Sequence, residues 1–277
     1  MKTDLIYGVE DRPPFKDALF AALQHLLAIF VAIITPPLII ASALKLDVEK
    51  TSFLVSMSLF ASGVSTFIQC RRIGPIGAKL LCIQGTSFSF IGPIIATGLV
   101  GGLPLIFGSC IAAAPIEMVV SRTFKYLRNI ITPLVSGIVV LLIGLSLIKV
   151  GIVSCGGGYG AMDDGSFGSW ENLSIAALVL LSVLFFNRCK NKYLRMSSIV
   201  FGLCLGYGLA FALGKVNMSA LNVEMLMSFN IPQPFKYGID FNISSFIAIG
   251  LVYLITAIEA TGDVTANSMI SGLPIEG

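Results

Sequence analysis

Long apolar stretches separated by short polar connections run the length of this chain. They lie at roughly 18–44, 52–69, 74–98, 101–121, 130–149, 173–187, 194–214 and 243–266. A helix needs about 20 apolar residues to cross a bilayer. The pattern therefore predicts an all-α polytopic membrane protein of about eight transmembrane spans. The third span is irregular. It reads GPIGAKLLCIQGTSFSFIGPIIATG, with Gly74-Pro75 at its start, Gly77 and Gly85 within it, and Gly92-Pro93 beyond. Ser, Thr and Phe in QGTSFSF favour extended backbone over helix. A short extended segment is expected to break this span. Non-helical backbone at membrane depth is tolerated only where it lines a cavity or is buried in protein.

Composition narrows the class. Of 277 residues, 56% are hydrophobic and 12% charged, against about 25% charged in soluble domains. Mean hydropathy is +0.91. A soluble fold of this size could not hide that much apolar surface, which argues against a soluble enzyme and a disordered chain. The net charge of +3 leaves no basic excess for nucleic acid. The first 17 residues, MKTDLIYGVEDRPPFKD, have mixed charge and lack the apolar run of a cleavable signal, so none is expected. The six cysteines are scattered with no C-x-x-C pair, which predicts neither a disulfide framework nor a zinc site.

Charge sets an orientation. Lys2, Arg12, Lys16, Arg71, Arg72, Lys79, Arg122, Lys125, Arg128, Arg188, Lys190, Lys192 and Arg195 fall on one side of the alternating spans. Only Lys45, Lys50, Lys149, Lys215 and Lys236 fall on the other. The positive-inside rule then puts the N-terminus in the cytoplasm. The outer connection 149–172 is glycine-rich, but no strand precedes it and no Lys-Ser/Thr follows. It reads as a flexible outer loop rather than a phosphate loop.

Ionisable groups inside spans are costly, about 2.5–3.5 kcal/mol each on insertion scales, and are functional candidates by default. Glu117, Glu259, Asp263 and the only histidine, His25, lie in spans. Glu259 and Asp263, in LITAIEATGDVTAN, share a helical face at a spacing of four. Such a pair suits a group that binds a substrate N–H when ionised and exchanges a proton during a cycle. Thr256, Thr261, Gly262 and Thr265 nearby suggest a wet face, although a purely structural polar cluster would look the same. Broken helices near the midplane are where secondary transporters place substrate, although a kinked packing helix would also explain span 3. Gln24 and His25 can hydrogen-bond across helices, and a lone histidine is as readily a satisfied core residue. Glu117 is expected to form an interfacial ion pair with Arg122. There is no H-E-x-x-H, G-x-S-x-G or Walker sequence, so catalysis and ATP-driven pumping are not expected.

Several stretches carry a family resemblance. YGVEDRPPF, QHLLAIF, QGTSFSF, ITPLVSGIVVLLIGLSLI, GGGYGAM and EATGD occur in order along nearly the whole chain. Together they resemble the nucleobase–cation symporter 2, or nucleobase–ascorbate transporter, family, and within it the bacterial xanthine permeases. The E-x-x-G-D form is similar to the xanthine and urate branch, whereas uracil permeases typically carry histidine where this chain has Asp263. The resemblance implies fourteen spans in two inverted repeats of seven. Spans 1–4 and 8–11 would form a substrate-binding core, and spans 5–7 and 12–14 a gate. On that pattern, 1–17 is a cytoplasmic tail and 18–129 holds core spans 1–4. Residues 130–242 hold gate spans 5–7, and 243–277 hold span 8, the first of the second repeat. The chain would then be a truncated form, lacking spans 9–14.

The resemblance further implies proton-coupled uptake of a purine nucleobase, xanthine or urate, across the bacterial inner membrane. Glu259 would accept hydrogen bonds from purine N–H groups. The backbone at Phe88 would contact the ring, with Ser87 beside it. Asp263 would belong to the proton-coupling network, and His25 would orient polar groups of the core, where Gln24 also stands. No cofactor beyond the coupling proton is implied. Membrane lipid and, in the full-length form, a homodimer are the implied partners. Two other readings remain at this point. One is an inorganic-anion transporter of related inverted-repeat fold, which a buried Glu–Asp pair disfavours. The other is a non-transporting truncated product.

Overall fold

A computed structural model describes residue 8 and residues 10–127, 151–190, 197–216 and 231–272, together with 138, 141, 144, 145, 148, 149, 194 and 195. Most of the fifth predicted span and much of the connection 214–242 lie outside the described residues, as does the side chain of Gln24. The described elements are helical. They are α1 (Phe15–Ala43), α2 (Val48–Arg71), a 3-10 turn (Phe88–Phe90), α3 (Ile91–Leu127), α4 (Gly158–Asp163), α5 (Trp170–Asn187), α6 (Ser198–Ala212) and α7 (Ile243–Ser271). Among the described residues, the one β contact is an isolated antiparallel bridge, Ile73 to Ile76.

Four stretches among the described residues are long and apolar enough to cross a membrane: Val48–Arg71, Phe88–Thr123, Trp170–Asn187 and Ile243–Thr265. Ile29–Ala43 and Ser198–Ala212 are shorter apolar helices. The protein is therefore mostly helical and suited to a bilayer. α2 exposes Phe60, Val64 and Phe67, and α5 exposes Leu180, Leu181, Leu184 and Phe185. Such faces are stable against lipid and costly against water. The third of these stretches of apolar chain to be predicted, 74–98, has no helix between Arg71 and Phe88. From Phe88 on, the third and fourth predicted spans run together as α3. They are separated by non-helical dihedrals at Gly101 (φ −141°, ψ 16°) and Gly102 (φ 65°, ψ −161°). The Gly102 conformation is essentially closed to residues with a Cβ.

The chain divides into two compact units. The first comprises Met1–Pro13, Pro36–Leu147 and Gln233–Gly277, and the second Pro14–Thr35 and Ile148–Pro232. The division inside α1 falls at Pro36-Pro37, where two backbone donors are missing.

In the first unit, α3 packs along α7. Leu103, Leu105, Ile106, Ser109 and Ala113 of α3 are buried, as are Ile249, Val252 and Ala257 of α7. The entry to α7 is clamped. The N–H of Asp240 donates to the Pro104 carbonyl at 3.0 Å. Tyr237 stacks on Phe107 at 6.3 Å and meets Phe53 edge-on at 5.5 Å. The Lys236 ammonium lies 4.5 Å over the Phe53 ring and 3.5 Å from Glu49. These contacts fix where α7 starts, and so where its carboxylates stand.

In the second unit, α5 packs on α6. Gly202 and Gly206 face Val183 and Val179, where a Cβ would collide. Small residues four apart allow this close approach in a membrane. The glycine-rich connection, expected to be a flexible loop, holds α4 and is knotted by Asn172. Its Nδ2 donates to the carbonyls of Gly156 and Ser166, each at 3.0 Å. Its Oδ1 accepts from Lys215 at 3.0 Å, and Lys215 also pairs with Glu171 at 2.8 Å.

Candidate functional site

The site is built where an extended stretch ends and a helix begins. α2 stops at Arg71, and the chain turns back through Gly77 (φ +95°). A Cβ at Gly77 would strike the Ile68 carbonyl and lie 3.0 Å from Arg72 Cα. Only glycine fits this turn. Residues 77–87 then run without helix to the 3-10 turn Phe88–Phe90. Ser87 caps that turn with extended backbone (φ −86°, ψ 131°), and its Oγ accepts from the Ser89 N–H at 3.3 Å.

The 3-10 turn packs against α7. Phe90 meets Tyr253 edge-on at 5.0 Å. One turn and a half beyond Tyr253 stands Glu259, half-buried, and Asp263 follows it, exposed. At this junction Ser89 Oγ and Glu259 Oε2 are buried, and among the described residues no polar group but each other faces them. Ser89 is the polar neighbour of the Glu259 carboxyl across the junction. An unpaired buried donor or acceptor costs about 1–3 kcal/mol. A ligand that offers donors and acceptors there would recover that cost. Ser89 was not singled out by the sequence reading. It sits inside QGTSFSF, and only the turn at Phe88 aims it at α7 rather than away.

The threonines of α7 behave differently from the expected wet lining. Thr261 and Thr265 donate to the carbonyls four residues back, both at 2.7 Å. Thr256 is buried and donates to the Val252 and Tyr253 carbonyls at 3.2 Å. Their protons are spent inside the helix, so they offer a ligand only lone pairs.

Ser87, Phe88, Glu259 and Asp263 all belong to the first unit. Gln24 and His25 lie on α1 in the second unit, with His25 exposed. The ion pair expected between Glu117 and Arg122 is absent; the described ion pairs join other residues. Five residues along a helix turn it by about 500°, which leaves the two side chains on different faces. Among the described residues, no cluster of His, Cys, Asp and Glu could hold a metal ion.

Residues 16–277 match the model of a permease family. The chain belongs to the nucleobase–ascorbate transporter family. It is 46% identical to the xanthine permease XanP of Escherichia coli K12 over 286 residues, covering 99% of this chain and 61% of the relative. Identity to the xanthine permease XanQ of the same strain is 47% over 284 residues, covering 99% and 60%. The uric acid permease PucJ of Bacillus subtilis is 34% identical over 257 residues, covering 92% and 57%. The chain therefore spans about 60% of the length of the xanthine permeases it matches. These relatives are transporters rather than enzymes, and the family is one of permeases.

Proposed function

We propose that this protein takes part in proton-coupled uptake of a purine nucleobase, xanthine first and urate second, across a bacterial inner membrane. The observation that carries this reading is the junction of the 3-10 turn with α7. There Glu259 Oε2 on α7 faces Ser89 Oγ, which follows Phe88 in the turn, and both atoms are buried with no partner but each other. A xanthine ring presents N–H donors and C=O acceptors along one planar edge. A carboxylate would take the N–H groups through charge-assisted hydrogen bonds, and an amide or hydroxyl would give to the carbonyls. The identities to xanthine and uric acid permeases support the same class of substrate.

In this reading Glu259, Phe88 and Ser87 contact the substrate. Asp263, four residues from Glu259, exchanges the coupling proton, and His25 and Gln24 serve as core polar residues of α1. No other cofactor takes part. The eight predicted spans carry the N-terminus on the cytoplasmic side. Residues 18–129 and 243–277 serve as core and 130–242 as gate, and the working form is a homodimer. The Glu–Asp pair disfavours an inorganic anion, which cations or helix N-termini would serve better.

The test is uptake of labelled xanthine by cells that express the protein as its gene encodes it. Uptake should collapse when the proton gradient is dissipated, and excess unlabelled urate should compete while sulfate should not. Competition by sulfate would move the protein to the anion class. Absence of any purine uptake with the protein abundant in the membrane would overturn the reading.

A further inference from the structure

Residues 77–87 pose a backbone problem. Beyond Lys79 they run through an apolar stretch without helical hydrogen bonds, and their polar groups still need partners within a predicted span. Side chains from two helices supply them. Thr66 Oγ1 of α2 accepts from the Gln84 N–H at 2.9 Å. Ser62 Oγ of α2 donates to the Gln84 carbonyl. From the other direction, Asn267 Nδ2 of α7 donates to the Leu81 carbonyl at 2.8 Å. Gln84 adds a local contact, its own Nε2 donating to the Cys82 carbonyl at 3.3 Å.

The Asn267 carboxamide is itself oriented. Ser271 Oγ, one turn on, donates to Asn267 Oδ1 at 3.3 Å. A donor on the oxygen leaves the NH₂ group to face Leu81. Asn267 stands eight residues past Glu259 on the same helix, about 12 Å along its axis. The segment it holds leads through Ser87 straight into the turn that faces Glu259. The segment is thus fastened at Leu81 to the helix that carries the carboxylate, and at Gln84, nearer the turn, to α2 by Thr66 and Ser62.

We propose that Asn267, with Thr66 and Ser62, is a positioning set for the purine site. It takes the place of a partner strand, and it sets where the Phe88–Phe90 turn stands relative to Glu259. The proposal rests on the purine reading above. None of the three residues needs to touch substrate. Their loss would act on the fit of the site and hence on KM and on discrimination between purines. A residue that only supported folding would act on the amount of protein instead.

The experiment measures xanthine uptake kinetics and membrane abundance in parallel, on the protein as its gene encodes it. Asn267→Asp keeps the shape and removes the NH₂ donor. Thr66→Val keeps the shape and removes the acceptor for Gln84. Each should raise KM by about tenfold, the loss of one hydrogen bond, with abundance within about twofold. Asn267→Gln restores the donor on a longer arm and should recover part of that loss. An unchanged KM and an unchanged xanthine-to-urate ratio in whichever of Asn267→Asp and Thr66→Val reaches the membrane would overturn the proposal. So would reduced abundance in both variants with wild-type KM. If the unsubstituted protein takes up no purine, the purine reading fails. Xanthine is then replaced by thermal unfolding of the purified protein. Equal losses of stability in Asn267→Asp and Asn267→Gln there would overturn the tether as well.

Discussion

Two glycine-rich stretches of this protein are irregular, and an asparagine from a neighbouring helix ties each of them. In the stretch 77–87, Asn267 donates to the Leu81 carbonyl and its oxygen takes a proton from Ser271. In the connection 156–172, Asn172 donates to the carbonyls of Gly156 and Ser166 and its oxygen takes one from Lys215. The carboxamide serves both places because it donates twice and accepts at the same time. The surroundings differ. The closing partner is a hydroxyl in the first stretch. In the second it is an ammonium that also pairs with an exposed carboxylate, Glu171. The bond to Leu81 lies at the exposed surface of its unit and those to Gly156 and Ser166 are half-buried, so only the apolar predicted span around Leu81 would keep water from the first. The same device therefore carries different weight in the two places.

The difference can be broken at the glycines first. Gly77→Val introduces a side chain at φ +95° against the Ile68 carbonyl. Strained positive φ costs about 1–3 kcal/mol before any clash is counted. Abundance in the membrane should fall severalfold, as read by immunoblot of the membrane fraction. Gly165→Ala, at φ +75° with open space around it, should cost only about 1–2 kcal/mol and leave uptake intact. Comparable losses from the two changes would erase the distinction between the stretches.

A smaller effect is expected at the outer asparagine. Asn172→Ala removes one donor from each of the Gly156 and Ser166 carbonyls and should lower stability by about 1 kcal/mol, read as a shift in Tm. KM for substrate should stay unchanged, in contrast to Asn267→Asp. Removing the ion pair by Lys215→Met should cost under about 1 kcal/mol, and less at high salt.

The smallest effects are in the acid response of the connections. Hydrogen bonds from Ser166, side chain first and then backbone, hold the Asp164 carboxyl below its usual value of 3.8. Asp47 caps α2 and is lowered in the same way by Lys50, whose Nζ lies 2.5 Å away. A carboxyl lowered in the folded state contributes stability that is present above pH 3.8 and is lost as pH falls through its folded value. Asp164→Asn and Asp47→Asn should each flatten the stability profile only below about pH 4. A change confined to neutral pH would contradict these assignments.

Much of the first unit could be read from local sequence. Gly74-Pro75, Gly77 and QGTSFSF mark residues that disfavour helix, and the structure has none between Arg71 and Phe88. The spacing of Glu259 and Asp263 places them on one helix without further information. What local pattern could not supply is long-range pairing. Thr66 and Gln84 are 18 residues apart and Asn267 and Leu81 are 186 apart, so neither bond leaves a periodic signal. Glu117 and Arg122 are close in sequence, but a separation of five sets them on different faces of α3. In the connection 149–172, Asn172 bonds residues 16 and 6 positions back, and no local pattern marks either pairing. Of the eight predicted spans, the third and fourth run together in α3, and α6 is only 15 residues long. Apolar runs locate spans, but they do not say where a break such as Gly101-Gly102 falls.

The account centres on Glu259 as the carboxylate that holds a purine N–H edge beside the Phe88–Phe90 turn. The most direct measurement compares proton-driven xanthine uptake in Glu259→Gln with the unsubstituted protein at matched membrane abundance. Loss of a hydrogen bond to a charged group is worth about 1.5–3 kcal/mol, or roughly 10–150-fold. The account predicts that kcat/KM for xanthine falls by at least about tenfold in Glu259→Gln. Uptake at the unsubstituted rate, with the same KM, would contradict it.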